Sequence, residues 1–342
     1  MSYRYLGNKT KLAEWIVDSI ATVVSPGAAV ADPMCGTAAV ALALAKRGYS
    51  VHASDSLTFP VIHATVRLLA KEEPEFDAFG GYGRALSILN SLPSVEGYFY
   101  REFGASGNPA NGRRPQKYFS AENAGRIDAI RRFVASAHER GNISDLEHAV
   151  LLQNLLLAVN EVANIAGTYG YFRSEIGSNA KKKLKLVPLD FVNTIGNHVV
   201  TKGDIAQVAP NLHVDAVYLD PPYTKRQYAG NYHILETIAR EDNPEAMGDG
   251  GLRPWQEDAS PFCYKRTAGK FLRSIIASLD TSNVFVSYSD DGQIGPEKLK
   301  SILSEFGSVS IGEHEYNRYR SNGGAKAGRI YEKLYHLHME QR

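Results

Sequence analysis

The stretch AAVADPMCGTAAVALALAKRGYSVHASD, residues 28–55, decides the fold. Its first four residues form a short apolar run that is typical of a buried strand. A turn through Gly36 leads into residues 38–47, an apolar run of strong helix formers. A second, alternating run then ends at Asp55. The order strand, turn, helix, strand predicts a parallel βαβ unit with a right-handed crossover.

Working outward from this unit, strand and helix patterns divide the chain into a core and an insertion. Further strands are predicted at residues 198–202, 214–219, 284–288, 308–316 and 329–338. Helical periodicity dominates between them, at residues 61–71, 121–140 and 145–163. We therefore predict an α/β, Rossmann-like sheet with helices on both faces, formed by residues 1–73 and 191–342. Residues 74–190 are predicted to be a mostly helical insertion, and ligands are expected at the carboxyl ends of the parallel strands.

Composition excludes several classes of protein. The 342 residues carry 38 Lys and Arg against 37 Asp and Glu, so a uniformly basic nucleic-acid coat is excluded, although a local basic face is not. Two cysteines, Cys35 and Cys263, make no disulfide framework and no zinc cluster, and no metal is expected. The longest apolar run, residues 38–45, is too short to cross a bilayer, and no signal core is apparent at the N-terminus. These features predict a cytoplasmic protein without membrane association.

The tetrad Asp220-Pro221-Pro222-Tyr223 follows the apolar run 216–219, which predicts another buried strand. A carboxylate in this position faces the crevice in which open α/β sheets bind ligands. The prolines fix φ and remove two N–H donors, which leaves rigid carbonyl groups beside the carboxylate. The tetrad thus offers two hydrogen-bond acceptors and a flat ring, which suit an exocyclic amino group on a planar base.

Such an amine is a poor nucleophile because its lone pair is delocalised into the ring. If the Asp220 carboxylate and the Pro221 carbonyl accept its two hydrogens, the nitrogen approaches tetrahedral geometry and its lone pair points at an electrophilic methyl group. The simpler interpretation is a plain Pro-Pro turn after a buried strand.

In their order, several segments resemble the Dam-like, alpha-group DNA N6-adenine methyltransferases and the type II restriction-modification methylases. The resemblance rests on YLGNK at 5–9, DPMCGT at 32–37, Asp55, AGTYGY at 166–171, Gly203-Asp204, the tetrad and SNGG at 321–324. It implies an S-adenosylmethionine-dependent catalytic domain with residues 74–190 as its target-recognition domain. It also implies site-specific methyl transfer from S-adenosylmethionine to N6 of an adenine flipped out of duplex DNA. The expected partners are double-stranded DNA and, as in restriction-modification systems, a cognate restriction endonuclease.

The predicted cofactor site combines the first loop with the resemblance. Asp55 comes 23 positions after Asp32, and in doubly wound folds an acidic residue at about this distance binds ribose hydroxyls. The resemblance implies that Tyr5 and Lys9 bind the cofactor, with Lys9 pairing with its methionine carboxylate. It also makes Asp204 a candidate for the cofactor's adenine amino group. The predicted cofactor-binding residues are Tyr5, Gly7, Lys9, Asp32, Cys35, Gly36, Thr37, Asp55, Asp204 and Asp220, and the predicted catalytic residues are Asp220, Pro221, Pro222 and Tyr223.

Basic, amide and aromatic side chains in separate loops form the predicted DNA surface, although each cluster alone is more often a solvated face. The predicted contacts are Arg113, Arg114, Lys117, Tyr169, Arg173, Lys181, Lys182, Lys183, Lys225, Arg226, Asn231, Tyr232, Arg318, Arg320 and Asn322. His233, which opens a predicted helix in this region, is expected to be a hydrogen-bonded structural histidine rather than a general base. The adenine amine loses its proton after methylation, when it is acidic, so no strong base is needed.

Three alternatives stay open at the level of sequence. The same chemistry on cytosine N4 more often begins its motif with Ser, so Asp220 argues against it. An RNA or protein-amide methyltransferase is the second alternative, because related tetrads serve those reactions. A catalytically silent DNA-binding module is the third, and the intact tetrad disfavours it.

Overall fold

A computed structural model describes residues 5–316 and 330–340. The chain divides into two compact units. We call the first the sheet unit, which comprises Gly7–Ala64, Thr194–Tyr228 and Ala259–Arg342. We call the second the helical unit, which comprises Met1–Leu6, Thr65–Asn193 and Ala229–Asp258.

The sheet unit is built on seven strands in the order β3-β2-β1-β4-β5-β7-β6. The strands are β1 (Ala29–Asp32), β2 (Ser50–Asp55), β3 (Val199–Lys202), β4 (Ala216–Leu219), β5 (Asn283–Ser289), β6 (Gly307–Tyr316) and β7 (Ile330–Met339). The first five are parallel, and β7 runs antiparallel to both β5 and β6. Strand order reverses where β1 lies between β2 and β4, with Ala31 paired to Val217. The carboxyl ends at this reversal are the place where an open α/β sheet binds its ligand.

The central strands β4 and β5 are buried along nearly their whole length, and helices cover the sheet. The helices of the sheet unit are α1 (Ala13–Ala21), α2 (Ala39–Lys46), α8 (Ile205–Val208), α11 (Ala268–Ser278) and α12 (Pro296–Leu303). On one face, Val217 and Val284 share a core with Leu272 of α11 and Leu299 of α12. Side chains alternate along a strand, so the neighbouring residues of β4 and β5 face the other side, where α2 contacts β1 and β2.

The helical unit is centred on two long helices. Its helices are α4 (Tyr82–Ser91), α5 (Tyr98–Phe103), α6 (Ala121–Glu139), α7 (Asp145–Val162) and α10 (His233–Ala239). Helix α7 begins at a capping box, in which Ser144 and Glu147 satisfy each other's backbone amides. The chain passes from one unit to the other within α3 (Thr58–Leu69) and α9 (Tyr228–Asn231). None of the described helices is both long and apolar enough to cross a membrane.

The predicted α/β class and all seven predicted strands are confirmed, with ends that differ by one or two residues. Helices α4 and α5 were not predicted. Helix α5 has an aromatic sequence of modest helix propensity, and the Asp128 carboxylate stabilises its start by accepting hydrogen bonds from the amides of Phe99 and Tyr100 at 2.9 and 2.7 Å.

The boundaries of the compact units differ from the predicted domain limits, mainly because residues 229–258 belong to the helical unit, as do residues 1–6, 65–73 and 191–193. Arg131 of α6 explains the placement of residues 229–258. Its guanidinium donates hydrogen bonds to the carbonyls of Thr237 and Asp242 at 3.2 and 2.7 Å. The role of the insertion in target recognition stays a prediction.

Candidate active site

Four acidic residues stand at the carboxyl ends of four neighbouring parallel strands. Asp32 and Asp55 are the last residues of β1 and β2, Asp220 directly follows β4, and Asp204 lies two positions after β3. All four were predicted from sequence, and the strand order β3-β2-β1-β4 brings them to one edge of the sheet. Asp204 also caps α8, where its carboxylate accepts a hydrogen bond from the amide of Ala206 at 2.8 Å.

The loop after β1 is held against the end of β2. Asp55 accepts hydrogen bonds from the amides of Gly36 at 3.1 Å and Leu57 at 3.0 Å, one on each carboxylate oxygen. Gly36 has a φ of 51°, a conformation that glycine adopts without strain. Ala38, at the start of α2, adopts a similar φ of 53°, which an L-residue adopts only at some cost. The predicted residues Cys35 and Thr37 are buried beside this turn.

Asp32 is a buried carboxyl with an unused acceptor. Its side chain is 1% exposed, and its Oδ1 atom has no hydrogen-bond partner within the described ranges. Burial, with the nearby Asp220 and Asp55 carboxylates, raises the pKa of Asp32 well above its ordinary value. A buried acceptor of this kind calls for a donor or a cation from outside the chain.

Lys9 and Asp220 form a buried ion pair. The Lys9 ammonium lies 2.8 Å from Asp220 Oδ1, and Asp220 Oδ2 accepts no hydrogen bond from residues 5–316 or 330–340. The Asp220 side chain is 18% exposed, so this second oxygen stays accessible. Burial raises the pKa of Asp220 to about 6, with Glu332 adding to the rise and Lys9 opposing it. Lys9 was predicted to bind the cofactor, and the structure brings it to Asp220, the predicted catalytic carboxylate.

Glu332 is a candidate site residue that was not predicted from the sequence. It lies on β7, is fully buried, and places Oε1 3.1 Å from the Lys9 ammonium and 2.7 Å from the Ser287 hydroxyl, which donates to it. Its other oxygen, Oε2, has no hydrogen-bond partner among the described residues. The available sequence signal was a charged residue within the predicted strand 329–338. The apolar residues that follow it, Leu334 and Tyr335, are buried in the structure.

The rest of the tetrad is packed tightly. The Tyr223 ring is 6% exposed, belongs to the core cluster of the sheet unit, and lies 5.9 Å from the Tyr288 ring, centroid to centroid. The Lys9 ammonium lies 5.5 Å from its ring centroid. Pro221 is buried and Pro222 half-buried. A base can therefore stack on Tyr223 only where the surrounding atoms leave the ring face open.

The opening motif is distributed over both units. Gly7 has a φ of 70°, and an added Cβ would lie 3.2 Å from the Tyr228 hydroxyl, so both space and conformation favour glycine. In the helical unit, the Tyr5 ring stacks on Tyr232 with centroids 4.9 Å apart, and the Tyr232 hydroxyl accepts a hydrogen bond from the amide of Leu6 at 2.7 Å.

Two of the predicted DNA contacts lie inside the helical unit. Tyr169 and Tyr232 are 0% and 1% exposed, so the prediction that these side chains face DNA is wrong for this structure. Both side chains pack in the core because the loops that carry them are held by backbone hydrogen bonds, such as that from the Tyr169 amide to the Asn231 carbonyl at 2.8 Å. Tyr171, two positions on, is 57% exposed instead and stacks on Phe172 with centroids 4.7 Å apart.

The remaining predicted DNA contacts fall into three groups. Those with exposed side chains are Arg114, Arg173, Lys181, Lys182, Lys183, Lys225 and Arg226. Those held by the protein are Arg113, which pairs with the buried Glu102 at 2.6 Å, Lys117, which donates to the Ser174 carbonyl at 3.2 Å, and Asn231, which accepts from Thr168 at 2.8 Å. Arg318, Arg320 and Asn322 lie outside the described residues.

His233 is a structural histidine, as expected. It is fully buried, and its Nε2 lies 3.0 Å from the Tyr169 carbonyl. Burial lowers the pKa of His233 to about 3, so the ring is neutral at physiological pH and donates from Nε2 to this carbonyl.

An open, mostly parallel sheet with acidic side chains at the carboxyl ends of its strands defines an α/β protein of the class whose ligand sites lie at that edge. The family model described as D12 class N6 adenine-specific DNA methyltransferase matches residues 5–290. The match covers most of the chain, and the chain belongs to this family. The resemblance predicted from the order of the motifs is confirmed.

Three named relatives illustrate the family. Type II methyltransferase M.FokI of Planomicrobium okeanokoites is 34% identical over 98% of this chain and 52% of its own length. Modification methylase LlaI of Lactococcus lactis subsp. lactis is 32% identical over 95% of this chain and 53% of its own length. Type II methyltransferase M.NlaIII of Neisseria lactamica is 28% identical over 97% of this chain and 98% of its own length. The chain thus spans about half the length of the first two relatives and almost all of the third.

Proposed function

We propose that this chain transfers a methyl group from S-adenosylmethionine to N6 of adenine at a specific site in duplex DNA. The observation that carries the proposal is the state of the Asp220 carboxylate. One oxygen is held by Lys9 at 2.8 Å, and the other is accessible at the carboxyl end of β4, beside the strand reversal. Family membership and the names of the relatives support the same reaction.

The carboxyl ends of β1 and β2 fit the cofactor. Asp32 Oδ1 is buried and has no hydrogen-bond partner among the described residues, so it provides an acceptor for the α-ammonium group of a methionine moiety, whose positive charge favours the ionised carboxylate. Asp55 is the proposed acceptor for the ribose hydroxyls, because it ends β2, the strand next to β1, and a carboxylate accepts hydrogen bonds from such donors. Bound S-adenosylmethionine supplies an electrophilic methyl group on a sulfonium ion.

Catalysis by the chain's own groups rests on orientation and on hydrogen-bond acceptance. Asp220 Oδ2 accepts one hydrogen of the adenine amino group and the Pro221 carbonyl accepts the other, which turns the nitrogen lone pair toward the methyl group. Ionisation of Asp220 is required, because a protonated carboxyl loses acceptor capacity. Stacking of Tyr223 on the base stays a prediction.

We propose that seven of the exposed cations, all of them predicted DNA contacts, bind DNA phosphates. In the helical unit these are Arg114, Arg173 and the run Lys181–Lys183, and in the sheet unit they are Lys225 and Arg226. No ion pair with another described residue engages these side chains, in contrast to Arg113, which pairs with Glu102. The insertion is proposed to carry target recognition, with Tyr171 as its exposed aromatic residue. A cognate endonuclease stays a prediction.

Incubation of the chain with S-adenosylmethionine and mixed-sequence duplex DNA, followed by mass spectrometry of the digested nucleosides, tests the proposal. We expect N6-methyladenine, and its loss with Asp220→Asn. N4-methylcytosine, methylation of RNA alone, or DNA binding without any methylated product would each contradict the proposed reaction. Methylation-sensitive long-read sequencing of DNA from cells that express the chain then identifies the site.

A further inference from the structure

We propose that Lys9 and Glu332 are positioning residues for Asp220. Glu332 holds the Lys9 ammonium, and the ammonium holds one Asp220 oxygen, so that the other oxygen faces the adenine amino group. This inference rests on the proposed function. It assigns Lys9 to the catalytic carboxylate rather than to the carboxylate of the cofactor.

The first support for this inference is the position of Lys9 between two carboxylates. Its side chain is 5% exposed, and its ammonium lies between two carboxylates, 2.8 Å from Asp220 Oδ1 and 3.1 Å from Glu332 Oε1. Two carboxylates already neutralise this buried cation, so binding of a third anion is disfavoured. A cofactor carboxylate at Lys9 would have to displace a contact that burial makes strong.

The second support is that Glu332 is itself held in place within the sheet. It is fully buried on β7, the strand antiparallel to β5, and Ser287 of β5 donates a hydrogen bond to the same Oε1 atom at 2.7 Å. The carboxylate is therefore fixed by a neighbouring strand before it meets Lys9. Burial of an additional charge is costly, and Glu332 touches the reaction only through Lys9.

The third support is the effect of Lys9 on the orientation of the Asp220 carboxylate. Asp220 has two oxygens, and a freely rotating carboxylate would share both of them among all donors. Because Lys9 occupies Oδ1, rotation is restricted and Oδ2 is presented to the crevice. The groups that face Asp220 have opposing effects on its pKa. Lys9 lowers the pKa, while burial and Glu332 raise it. Asp32 also interacts with Asp220, as does Tyr218 of β4.

The two positioning residues therefore have opposite signatures. Removal of the Glu332 charge in Glu332→Gln, which keeps an acceptor for Ser287, is expected to lower the pH at which Asp220 titrates by roughly half to one unit. Removal of the ammonium in Lys9→Met is expected to raise it by one unit or more. A residue that only stabilises the fold would produce neither displacement in a folded chain.

The direct measurement uses the full chain labelled with carboxyl-13C aspartate. The Asp220 signal is identified by its absence in Asp220→Asn, and its titration is followed in the wild type, Glu332→Gln and Lys9→Met. Glu313→Gln on β6 is the matched control, because Glu313 is an exposed carboxylate of the same sheet and should leave the titration unchanged. This readout requires neither DNA nor cofactor.

Kinetics then link the titration to catalysis. We expect Glu332→Gln to lower kcat about 10- to 100-fold and to move the acid limb of the pH profile in the same direction as the titration. The dissociation constant for S-adenosylmethionine should change less than about twofold. If Lys9→Met does not fold, the Glu332→Gln comparison alone decides the matter.

The outcomes separate the two proposals. Unmoved titrations and pH profiles in folded, cofactor-binding variants would overturn the positioning roles, whatever the wild type methylates. A weakened cofactor affinity in Lys9→Met with an unmoved Asp220 titration would restore Lys9 to the cofactor site. If the two variants show the expected shifts in the Asp220 titration but the wild-type chain does not methylate adenine, the proposed function alone is overturned.

Discussion

The amide of Gly36 donates a hydrogen bond to the Asp55 carboxylate over 3.1 Å, so the turn after β1 is anchored to the end of β2. This hydrogen bond joins the two features that the βαβ sequence places 19 residues apart. It also means that Asp55 has a second task besides any contact with the cofactor. The shape of the loop that faces the proposed cofactor depends on this carboxylate.

Asp55→Asn is expected to weaken binding of S-adenosylmethionine about 10- to 100-fold, because one oxygen becomes an amide that repels a backbone N–H and a charge-assisted hydrogen bond is removed. Titration calorimetry measures the dissociation constant. Asp280→Asn serves as the control, since Asp280 is an exposed residue just before β5, at the opposite end of the sheet. Equal affinity in wild type and Asp55→Asn would contradict the role of this anchor.

The pH dependence of the reaction should follow Asp220. The folded chain holds the pKa of Asp220 at about 6, above the ordinary value for aspartate, so the protonated form predominates below that pH. Protonation removes the acceptor for the adenine amine, and kcat/KM should therefore fall about tenfold per pH unit below about pH 6. Initial rates at low DNA concentration, from about pH 5 to pH 8, measure this limb.

The same shift has a consequence for stability, with the opposite sign. Because the pKa of Asp220 is raised on folding, the folded chain binds more protons than the unfolded chain between the two pKa values. The free energy of unfolding contributed by Asp220 is therefore largest below the unfolded pKa and is lost as pH rises toward about 6.

For the kinetic prediction, an acid limb of kcat/KM near pH 4, the ordinary range of aspartate, would show that the carboxylate is not buried as the structure has it.

Much of the candidate site was predictable because its determinants are local in sequence. A carboxylate that follows a buried apolar strand points to the ligand-binding edge whatever the rest of the chain does, and this rule located Asp32, Asp55 and Asp220. The strands themselves were predictable from their apolar runs and alternation.

The interactions among these residues were not predictable, because they depend on tertiary structure. Lys9 and Asp220 are 211 positions apart, and only the sheet brings them to 2.8 Å. Glu332 reads in sequence as an ordinary charge on a C-terminal strand. The loops were the least predictable part, since nothing in the sequence distinguishes the buried Tyr169 from the exposed Tyr171.

Helix α5 should depend on Asp128. This buried carboxylate accepts hydrogen bonds from the amides of Phe99 and Tyr100, and Asp128→Ala leaves both amides unpaired. We expect the free energy of unfolding to fall by about 2–4 kcal/mol, and urea denaturation measures it. Asp128→Asn, which keeps one acceptor, should lose about half as much. A change below about 0.5 kcal/mol in Asp128→Ala would rule out this stabilising role.

Tyr171 should contribute to DNA binding without contributing to the fold. Its ring is exposed and stacks on Phe172, a platform on which a base can stack. Tyr171→Ala is expected to raise the KM for DNA about 5- to 100-fold, in line with about 1–3 kcal/mol per stacked base, while cofactor affinity and urea midpoint stay unchanged. Tyr264→Ala is the control, because Tyr264 is a comparably exposed tyrosine of the sheet unit. Equal KM values in both variants would remove Tyr171 from the DNA surface.

The run Lys181–Lys183 should contribute to the salt dependence of DNA binding. All three side chains are exposed in the helical unit, and each ammonium that binds a phosphate displaces a condensed counterion. Replacing the three lysines with Gln should reduce the slope of log K against log salt concentration by about 0.9 for each phosphate that is no longer neutralised, or roughly 2–3 in total. Fluorescence anisotropy with a labelled duplex at several salt concentrations measures this slope. The matched control replaces Lys270, Lys298 and Lys300 of α11 and α12, three exposed lysines to which we assign no role. Both triple variants carry the same net charge, so an equal decrease in slope would mean that the long-range field of the protein, and not phosphate binding by this loop, sets the salt dependence.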